Sequence, residues 1–321
     1  MKRSIARVLI FLMIFLCGCS MLKAAPKEYT ETKLMMDTVC TIKAGGDKSK
    51  EAVSAAFARI EEISLKVDYF SDSSEVSAVN RAKAGEVVYV SEDVFKVIAG
   101  SLEISEASGG AFDITVARFK DLWKIADGPH EPPTDEEVEE LLPMVGYQHI
   151  LLDKDARTVV KTADEVKIDL SGIAKGYAAD CAKEILEQKG VEYALVDLGG
   201  NVVVYGANQL RTDGKWVIGV QKPFATGGEY GQTVCVDGGS VVTAGTYQRY
   251  FEWNGEMYHH IIDPKTGYPS RSKITGATIV ADSALIGDGL ATACVVMGKE
   301  EGRKIAAEFG AKLIVNQEEK P

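Results

Sequence analysis

The sequence lacks the cysteine patterns on which disulfide-rich and zinc-binding domains depend. Its six cysteines are scattered, with no CxxC pair and no repeated spacing. This distribution argues against a disulfide framework and against a structural zinc site. We therefore interpret the last four cysteines as buried apolar residues, namely Cys40, Cys181, Cys235 and Cys294.

Positive charge is also scarce. The chain carries 36 Lys and Arg residues against 47 Asp and Glu residues, for a formal net charge of −11. An acidic protein binds polyanions poorly, so nucleic acid is not expected as a partner. An acidic enzyme that handles a pyrophosphate needs local help from a metal ion, a lysine or backbone N–H groups.

The apolar run at residues 8–16 is too short for a transmembrane helix, which needs roughly 20 residues. It follows a basic start and resembles the core of a secretory signal peptide. The run ends in a lipobox-like sequence, Leu16-Cys17-Gly18-Cys19. An ordinary cleaved signal peptide with a chance cysteine is the alternative.

We predict a signal peptide at 1–18, lipidation of Cys19, a tether at 19–30 and a folded domain at 31–321. Removing residues 1–18 leaves 33 basic and 47 acidic residues, a balance of −14. The lipid would anchor the protein to the cell membrane on its extracytoplasmic, periplasmic side.

Hydrophobic periodicity divides the rest of the chain into helices and strands. Helices are predicted at 49–67, from Ser91 to Gly109-Gly110, after the Thr134–Glu137 capping box, and at 172–189, 283–297 and 299–309. Strands are predicted at 34–42, 193–197, 201–205, 216–221, 233–236, 258–262, 274–280 and 312–315. The order indicates an α+β fold with a mixed, glycine-punctuated sheet and flanking helices.

The segment at residues 168–180 runs from a strand end through small residues into a helix. Gly172 and Gly176 allow close approach to the backbone, and the helix N-terminus offers free N–H groups. Lys175 adds a positive charge. An anion-binding site and a simple packing turn both fit this pattern.

A second segment places Asp288 and Thr292 four residues apart on one face of a helix, among small apolar neighbours. A buried carboxylate needs a partner. The carboxylate and the hydroxyl are hard oxygen ligands that suit Mg²⁺ better than zinc. The alternative is that Thr292 bonds the carbonyl four residues earlier while Asp288 pairs with a lysine.

His259 and His260 precede an apolar stretch and a Pro-Lys-Thr-Gly turn. Adjacent strand side chains face opposite ways, so only one of the two can enter a given site. The pair is therefore not a bidentate metal site, but a single histidine can act as a general base. A lone strand histidine is more often only hydrogen-bonded within the protein.

Together these segments resemble the ApbE family, the FAD:protein FMN transferases. The resemblance continues through most of the mature chain, in residues 36–38, 69–80, 109–116, 196–201 and 245–251. It implies Mg²⁺ as cofactor, FAD as substrate, and an acceptor flavoprotein with an Asp-x-x-Ser/Thr-Gly-Ala-Ser/Thr-like motif. This chain has no such motif, so the acceptor is expected to be another protein.

The resemblance also implies roles for single residues. The metal set would be the Gly172 carbonyl, Asp288 and Thr292, and the catalytic histidine would be His260. The remaining positions would contact FAD, namely Met36, Phe70, Ala111, Phe112, Asp113, Asp169, Lys175 and the backbone of Ile262. The chain departs from the family at Asp37, which replaces a usual glycine, and at Ala291, where some members carry an aspartate.

The implied reaction is Mg²⁺-dependent transfer of FMN from FAD to a Thr or Ser hydroxyl, with AMP as the leaving group. Two alternatives remain at this stage. One is an FAD pyrophosphatase, in which water replaces the acceptor. The other is a surface lipoprotein that binds FAD without chemistry.

Overall fold

A seven-stranded sheet runs through the centre of the protein, and all of its pairings are antiparallel. The computed structural model describes residues 27–225 and 229–316. In spatial order the strands are β1 (Glu28–Met35), β2 (Thr38–Gly45), β6 (Tyr193–Leu198), β7 (Asn201–Tyr205), β10 (Gly239–Gly245), β13 (Gly276–Ala281) and β14 (Lys312–Asn316).

Helices cover one face of this sheet, where the largest core cluster lies. The strands alternate, so Val203 of β7 faces the helices while Val202 and Val204 face away. The described ranges contain eight α-helices: α1 (Ser49–Val67), α2 (Glu75–Arg81), α3 (Glu92–Ala107), α4 (Ala117–Trp123), α5 (Asp135–Leu141), α6 (Ala174–Gln188), α7 (Ala284–Met297) and α8 (Lys299–Glu308).

Three small sheets complete the fold. Strands β8 (Trp216–Gln221) and β9 (Tyr230–Val236) form a hairpin whose apolar residues pack on the face opposite the helices. A three-stranded sheet contains β3 (Val88–Tyr89), β5 (Thr158–Lys161) and β4 (Ile150–Asp153). The hairpin of β11 (Tyr250–Trp253) and β12 (Glu256–His259) joins a third core cluster with α4 and α5.

The α+β prediction is confirmed, although the central sheet is antiparallel throughout rather than mixed. Several elements agree closely with the prediction. Helix α1 has the predicted bounds. Ser91 and Ser283 are the N-cap residues of α3 and α7, and Thr134 forms the predicted capping box with Glu137. Polar caps and apolar periodicity are local signals, which is why the sequence alone indicates them.

The single strand predicted at 34–42 is wrong, because the chain reverses inside it. Met36 and Asp37 both have positive φ, 50° and 57°, and they form the tight turn between β1 and β2. Glycine or asparagine usually marks such a turn, so its absence concealed the hairpin. β1 begins at Glu28, inside the segment predicted as a tether.

Two further predictions need correction. The strand predicted at 258–262 ends at His259, since the next residues bend into a turn. Cys235 is exposed rather than buried, because strand alternation on β9 turns it outward between Val234 and Val236. Cys40, Cys181 and Cys294 are buried, as predicted.

No helix in the described ranges is long and apolar enough to cross a bilayer. The predicted signal peptide and Cys19 lie outside those ranges.

Candidate active site

The candidate site is built where α6 crosses α7. A Cβ on Gly176 would lie 2.1 Å from the Ala284 carbonyl oxygen and 2.9 Å from Cβ of Asp288, so only glycine permits this approach. The crossing brings residues 112 positions apart into contact, because the Gly176 N–H donates to Oδ2 of Asp288 at 3.0 Å.

Asp288 is a buried carboxyl, only 6% exposed. Burial raises its pKa, while the Lys175 ammonium and the Gly176 N–H oppose that rise. Nζ of Lys175 lies 4.0 Å from Oδ2 of Asp288 and donates to the Ser171 carbonyl at 3.2 Å. The lysine thus joins the loop before α6 to the carboxylate on α7.

Thr292 follows Asp288 by one helical turn and is partly buried. Its hydroxyl makes no hydrogen bond to the carbonyl four residues earlier, although Ser101 and Ser105 of α3 each make such a bond. The Thr292 oxygen therefore does not bond its own helix, so that half of the alternative interpretation does not apply. The other half does, because Lys175 pairs with Asp288.

Asp180 of α6 fixes the start of α7. Its carboxylate accepts hydrogen bonds from the Ala284 N–H at 2.9 Å, the Leu285 N–H at 3.0 Å and the Ser283 hydroxyl at 2.8 Å. These bonds satisfy donors that a helix N-terminus leaves free. Asp180 therefore locks the helix that carries Asp288 and Thr292 against α6.

A second lysine, Lys120 of α4, reaches the same loop. Its ammonium contacts the Asp169 carboxylate and donates to the Ser171 hydroxyl at 2.8 Å. Burial alone would raise the pKa of Asp169, but the Lys120 charge brings it below its ordinary value. Asp169 is therefore ionised, and two ammonium groups bond Ser171, Lys120 at its hydroxyl and Lys175 at its carbonyl.

The loop predicted to line FAD lies beside Gly172. A Cβ on Gly172 would lie 3.4 Å from the Phe112 ring, and Ala111, Phe112 and Asp113 are all buried. Asp113 accepts from the Thr115 N–H at 2.8 Å and from the Tyr147 N–H at 2.6 Å, so its carboxylate holds two loops together.

A cavity of about 380 Å³ opens next to this loop. Its walls include Gly110, Asp113 and Tyr147 on one side and the turn residues Pro264 and Lys265 on the other. Its volume is in the range of small-ligand sites, about 300–1,000 Å³.

The two histidines have different surroundings. His259 is 5% exposed, its Nε2 donates to the Ser270 carbonyl at 2.9 Å, and its Nδ1 accepts from the Ile261 N–H at 3.3 Å. Both of its nitrogens are therefore used inside the protein. The Ser270 hydroxyl in turn donates to the Val295 carbonyl of α7.

His260 is partly accessible. Its Nδ1 lies 3.1 Å from the Arg249 carbonyl, which can only accept, so Nδ1 carries the hydrogen and Nε2 keeps a free lone pair. Desolvation lowers its pKa to about 3, although the hydrogen bond to the Arg249 carbonyl acts to raise it. The charge of Lys120 lowers the pKa further. At neutral pH the ring is uncharged and Nε2 can accept a proton.

Burial also lowers the pKa of His259, to about 4 from 6.5. Below pH 6.5 the unfolded chain binds a proton there that the folded protein does not, so stability falls as pH drops from 6.5 to about 4. We expect this histidine to account for about 3 kcal/mol of that loss. Urea unfolding across this pH range should show a flatter profile for His259→Gln, and parallel profiles would contradict the prediction.

The other predicted contacts are less closely connected to this cluster. Phe70 is 82% exposed and packs edge-on against Tyr69, whose hydroxyl donates to Asp121. Met36 lies half-buried in the β1–β2 turn. Ile262 forms an isolated bridge with Pro269 whose two hydrogen bonds use neighbouring residues rather than the Ile262 backbone itself.

Sequence reasoning missed Lys120, Asp180 and Asn201. Lys120 lies in a stretch that also contains Arg118 and Asp121, so no local signal marked it. Asp180 follows Lys175 on the same helix, but its partners come from α7. Asn201 had no local signal beyond the glycines before it.

In the described ranges no group of three or more His, Cys, Asp or Glu is placed to hold a metal ion. A site formed by one carboxylate, one hydroxyl and one backbone carbonyl is compatible with this finding. Asp288, Thr292 and the loop at Gly172 supply those hard oxygens, and the uncommitted Thr292 hydroxyl fits Mg²⁺.

Comparison with known proteins identifies the family to which the chain belongs. The model of the ApbE family matches residues 36–315. An FAD:protein FMN transferase of Klebsiella pneumoniae is 35% identical over 229 residues, which are 71% of this chain and 70% of that protein. One of Treponema pallidum is 30% identical over 315 residues, which are 93% of this chain and 87% of that protein.

Solved structures give the same answer. The ApbE protein of Thermotoga maritima has a TM-score of 0.80 and 34% identity, covering 90% of this chain and 94% of that chain. The flavin transferase ApbE of Vibrio cholerae has a TM-score of 0.80 and 27% identity, with coverage of 91% and 94%. The fold and the site define an enzyme of the flavin transferase class. The chain belongs to the ApbE family.

Proposed function

We propose that this protein transfers FMN from FAD to a Thr or Ser hydroxyl of an acceptor flavoprotein, in a Mg²⁺-dependent reaction that releases AMP. The observation that carries the proposal is the buried Asp288 carboxylate, held by the Gly176 N–H and Lys175 at the start of α6. The names of the relatives support the substrate and the type of transfer.

Asp288, Thr292 and the Gly172 carbonyl would hold Mg²⁺. When bound, the metal ion supplies Lewis-acid stabilisation of the negative charge that grows on the pyrophosphate during transfer. Lys175 contributes a second positive charge 4.0 Å from Asp288, and Lys120 carries a third close to Ser171. Phosphoryl transfer depends mostly on such positioning and electrostatics.

The acceptor hydroxyl oxygen forms a bond to the FMN-side phosphorus while the bond to the AMP oxygen breaks. Nε2 of His260 takes the hydroxyl proton, because Nδ1 is occupied by the Arg249 carbonyl. Phe112 and the cavity beside it would receive a ring system of FAD. Acceptor recognition would rest on an Asp-x-x-Ser/Thr-Gly-Ala-Ser/Thr-like motif in the partner protein.

Incubation of the protein with FAD and Mg²⁺ tests this proposal. AMP released only when an acceptor flavoprotein is present supports transfer. AMP released equally without an acceptor indicates a pyrophosphatase, and binding of FAD with no AMP in either case indicates a carrier. Mass spectrometry of the acceptor should show one added FMN on a Thr or Ser.

We also propose that the protein is a lipoprotein attached to the extracytoplasmic side of the membrane through Cys19. The support is the lipobox-like sequence at residues 16–19. We expect Cys19→Ala to move the protein from the membrane fraction to the soluble fraction or to leave an uncleaved precursor. Wild-type protein without an acyl group, together with a variant that still fractionates with membranes, would show the anchor to be different.

A further inference from the structure

Asn201 is a buried polar residue that the proposed mechanism does not use. It begins β7 and is 1% exposed, yet its side-chain nitrogen has no hydrogen-bond partner in the part of the chain that the structure describes. A buried donor without a partner costs folding free energy. Such a cost is typical of a residue that serves a ligand or a catalytic group.

The strand register places Asn201 beside Asp288. Asn201 pairs with Val242 of β10. A Cβ on Gly287, the residue before Asp288, would lie 3.1 Å from a methyl carbon of Val242. Asn201 and Gly287 therefore both adjoin Val242, which places the Asn201 side chain next to the turn of α7 that carries Asp288.

The backbone before Asn201 is rigidly shaped. Gly199 and Gly200 have φ values of 66° and 96°, and the Gly200 N–H donates to Asp197 at 2.8 Å. This turn holds the asparagine in place while its side-chain nitrogen has no partner in the described residues. The hydrogen bond from Gly176 and the ion pair with Lys175 both involve Oδ2 of Asp288. The other carboxylate oxygen, Oδ1, can therefore accept a further hydrogen bond.

We propose that Asn201 is a positioning residue for the metal site: its side-chain N–H donates to the Asp288 carboxylate and orients it toward Mg²⁺. The inference rests on the Mg²⁺ site of the proposed function. It assigns Asn201 no contact with FAD, since the residue is buried away from solvent. Partners of this kind are typically worth about 10–100-fold in metal affinity.

The test measures binding of Mg²⁺ alone to the full chain by titration calorimetry, without FAD. Asn201→Leu and the smaller Asn201→Ala should each weaken Mg²⁺ binding by about 10–100-fold. The metal-free Asn201→Leu protein should melt at the wild-type temperature or up to about 4 °C higher, because an unpaired buried donor has been removed. A purely structural asparagine would instead lower the melting temperature and leave Mg²⁺ affinity unchanged.

Asn316 provides the control. Its side-chain nitrogen is also buried without a partner in the described residues, but it lies on β14, three strands away from β7. Asn316→Leu should leave Mg²⁺ affinity within about twofold of wild type. Wild-type affinity in both Asn201 variants, or an equal loss in Asn316→Leu, would overturn the inference. Failure of wild-type protein to release AMP from FAD would refute the proposed function separately, because the Mg²⁺ titration does not involve flavin.

Discussion

Asp288→Ala is expected to lower Mg²⁺-dependent release of AMP and transfer of FMN by about 10³-fold or more. Metal stabilisation of transferring phosphoryl groups is worth several kcal/mol, and each 1.4 kcal/mol corresponds to tenfold in rate. Asp288 is the single carboxylate of the proposed metal set, so its loss removes the only charged ligand. Thr292→Ala removes a neutral ligand and should only raise the Mg²⁺ concentration needed.

Asp288→Asn separates the metal effect from a folding effect. The amide oxygen can still accept from the Gly176 N–H, so the α6–α7 crossing should remain. Asp282→Ala is the matched control, because Asp282 is an exposed carboxylate two residues before α7. Rates measured against Mg²⁺ concentration decide the question. Unchanged Mg²⁺ dependence in Asp288→Ala would place the metal elsewhere.

His260→Ala is expected to lower transfer by about 10²–10⁴-fold, the usual contribution of a positioned general base. FAD affinity should stay within a few-fold, since Lys175, Lys120 and the metal ligands remain. The loss should therefore appear in the chemical step. Single-turnover transfer measures that step, and flavin fluorescence follows FAD binding separately.

His259→Ala is the neighbouring control. It removes two hydrogen bonds, to the Ser270 carbonyl and from the Ile261 N–H, and it leaves a buried space. We expect a loss of about 2–4 kcal/mol in stability with much less effect on the rate of the folded protein. If both variants lose transfer equally, or if His260→Ala loses FAD binding first, His260 is a binding or structural residue and the base lies elsewhere.

Elements with strong local signals were predictable from the sequence. The apolar spacing of α1 and the serine caps of α3 and α7 identified their positions. The β1–β2 turn was not predictable, because Met36 and Asp37 adopt positive φ without the glycine that usually signals it. Its conformation depends on the pairing of eight residues on each side.

The residues of the candidate site also fall into those with a local sequence signal and those without one. The i,i+4 spacing of Asp288 and Thr292, and the Lys175 that follows a glycine turn, are local patterns and appeared in the sequence. Lys120 and Asn201 were missed because their neighbours in space are distant along the chain: Asp169 lies 49 residues from Lys120, and Val242 pairs with Asn201 from another strand. The partners of a polar side chain are known only once packing brings separate elements into contact.

The sequence by itself determined the α+β class, most helix and strand positions, the shared helix face of Asp288 and Thr292, and the family resemblance. Only the tertiary structure decided that His259 is bonded on both nitrogens while Nε2 of His260 remains free. It also decided that Gly176 and Lys175 are the partners of Asp288. Periodicity reports which face of an element is buried, whereas the partners of a buried polar group depend on how separate elements cross.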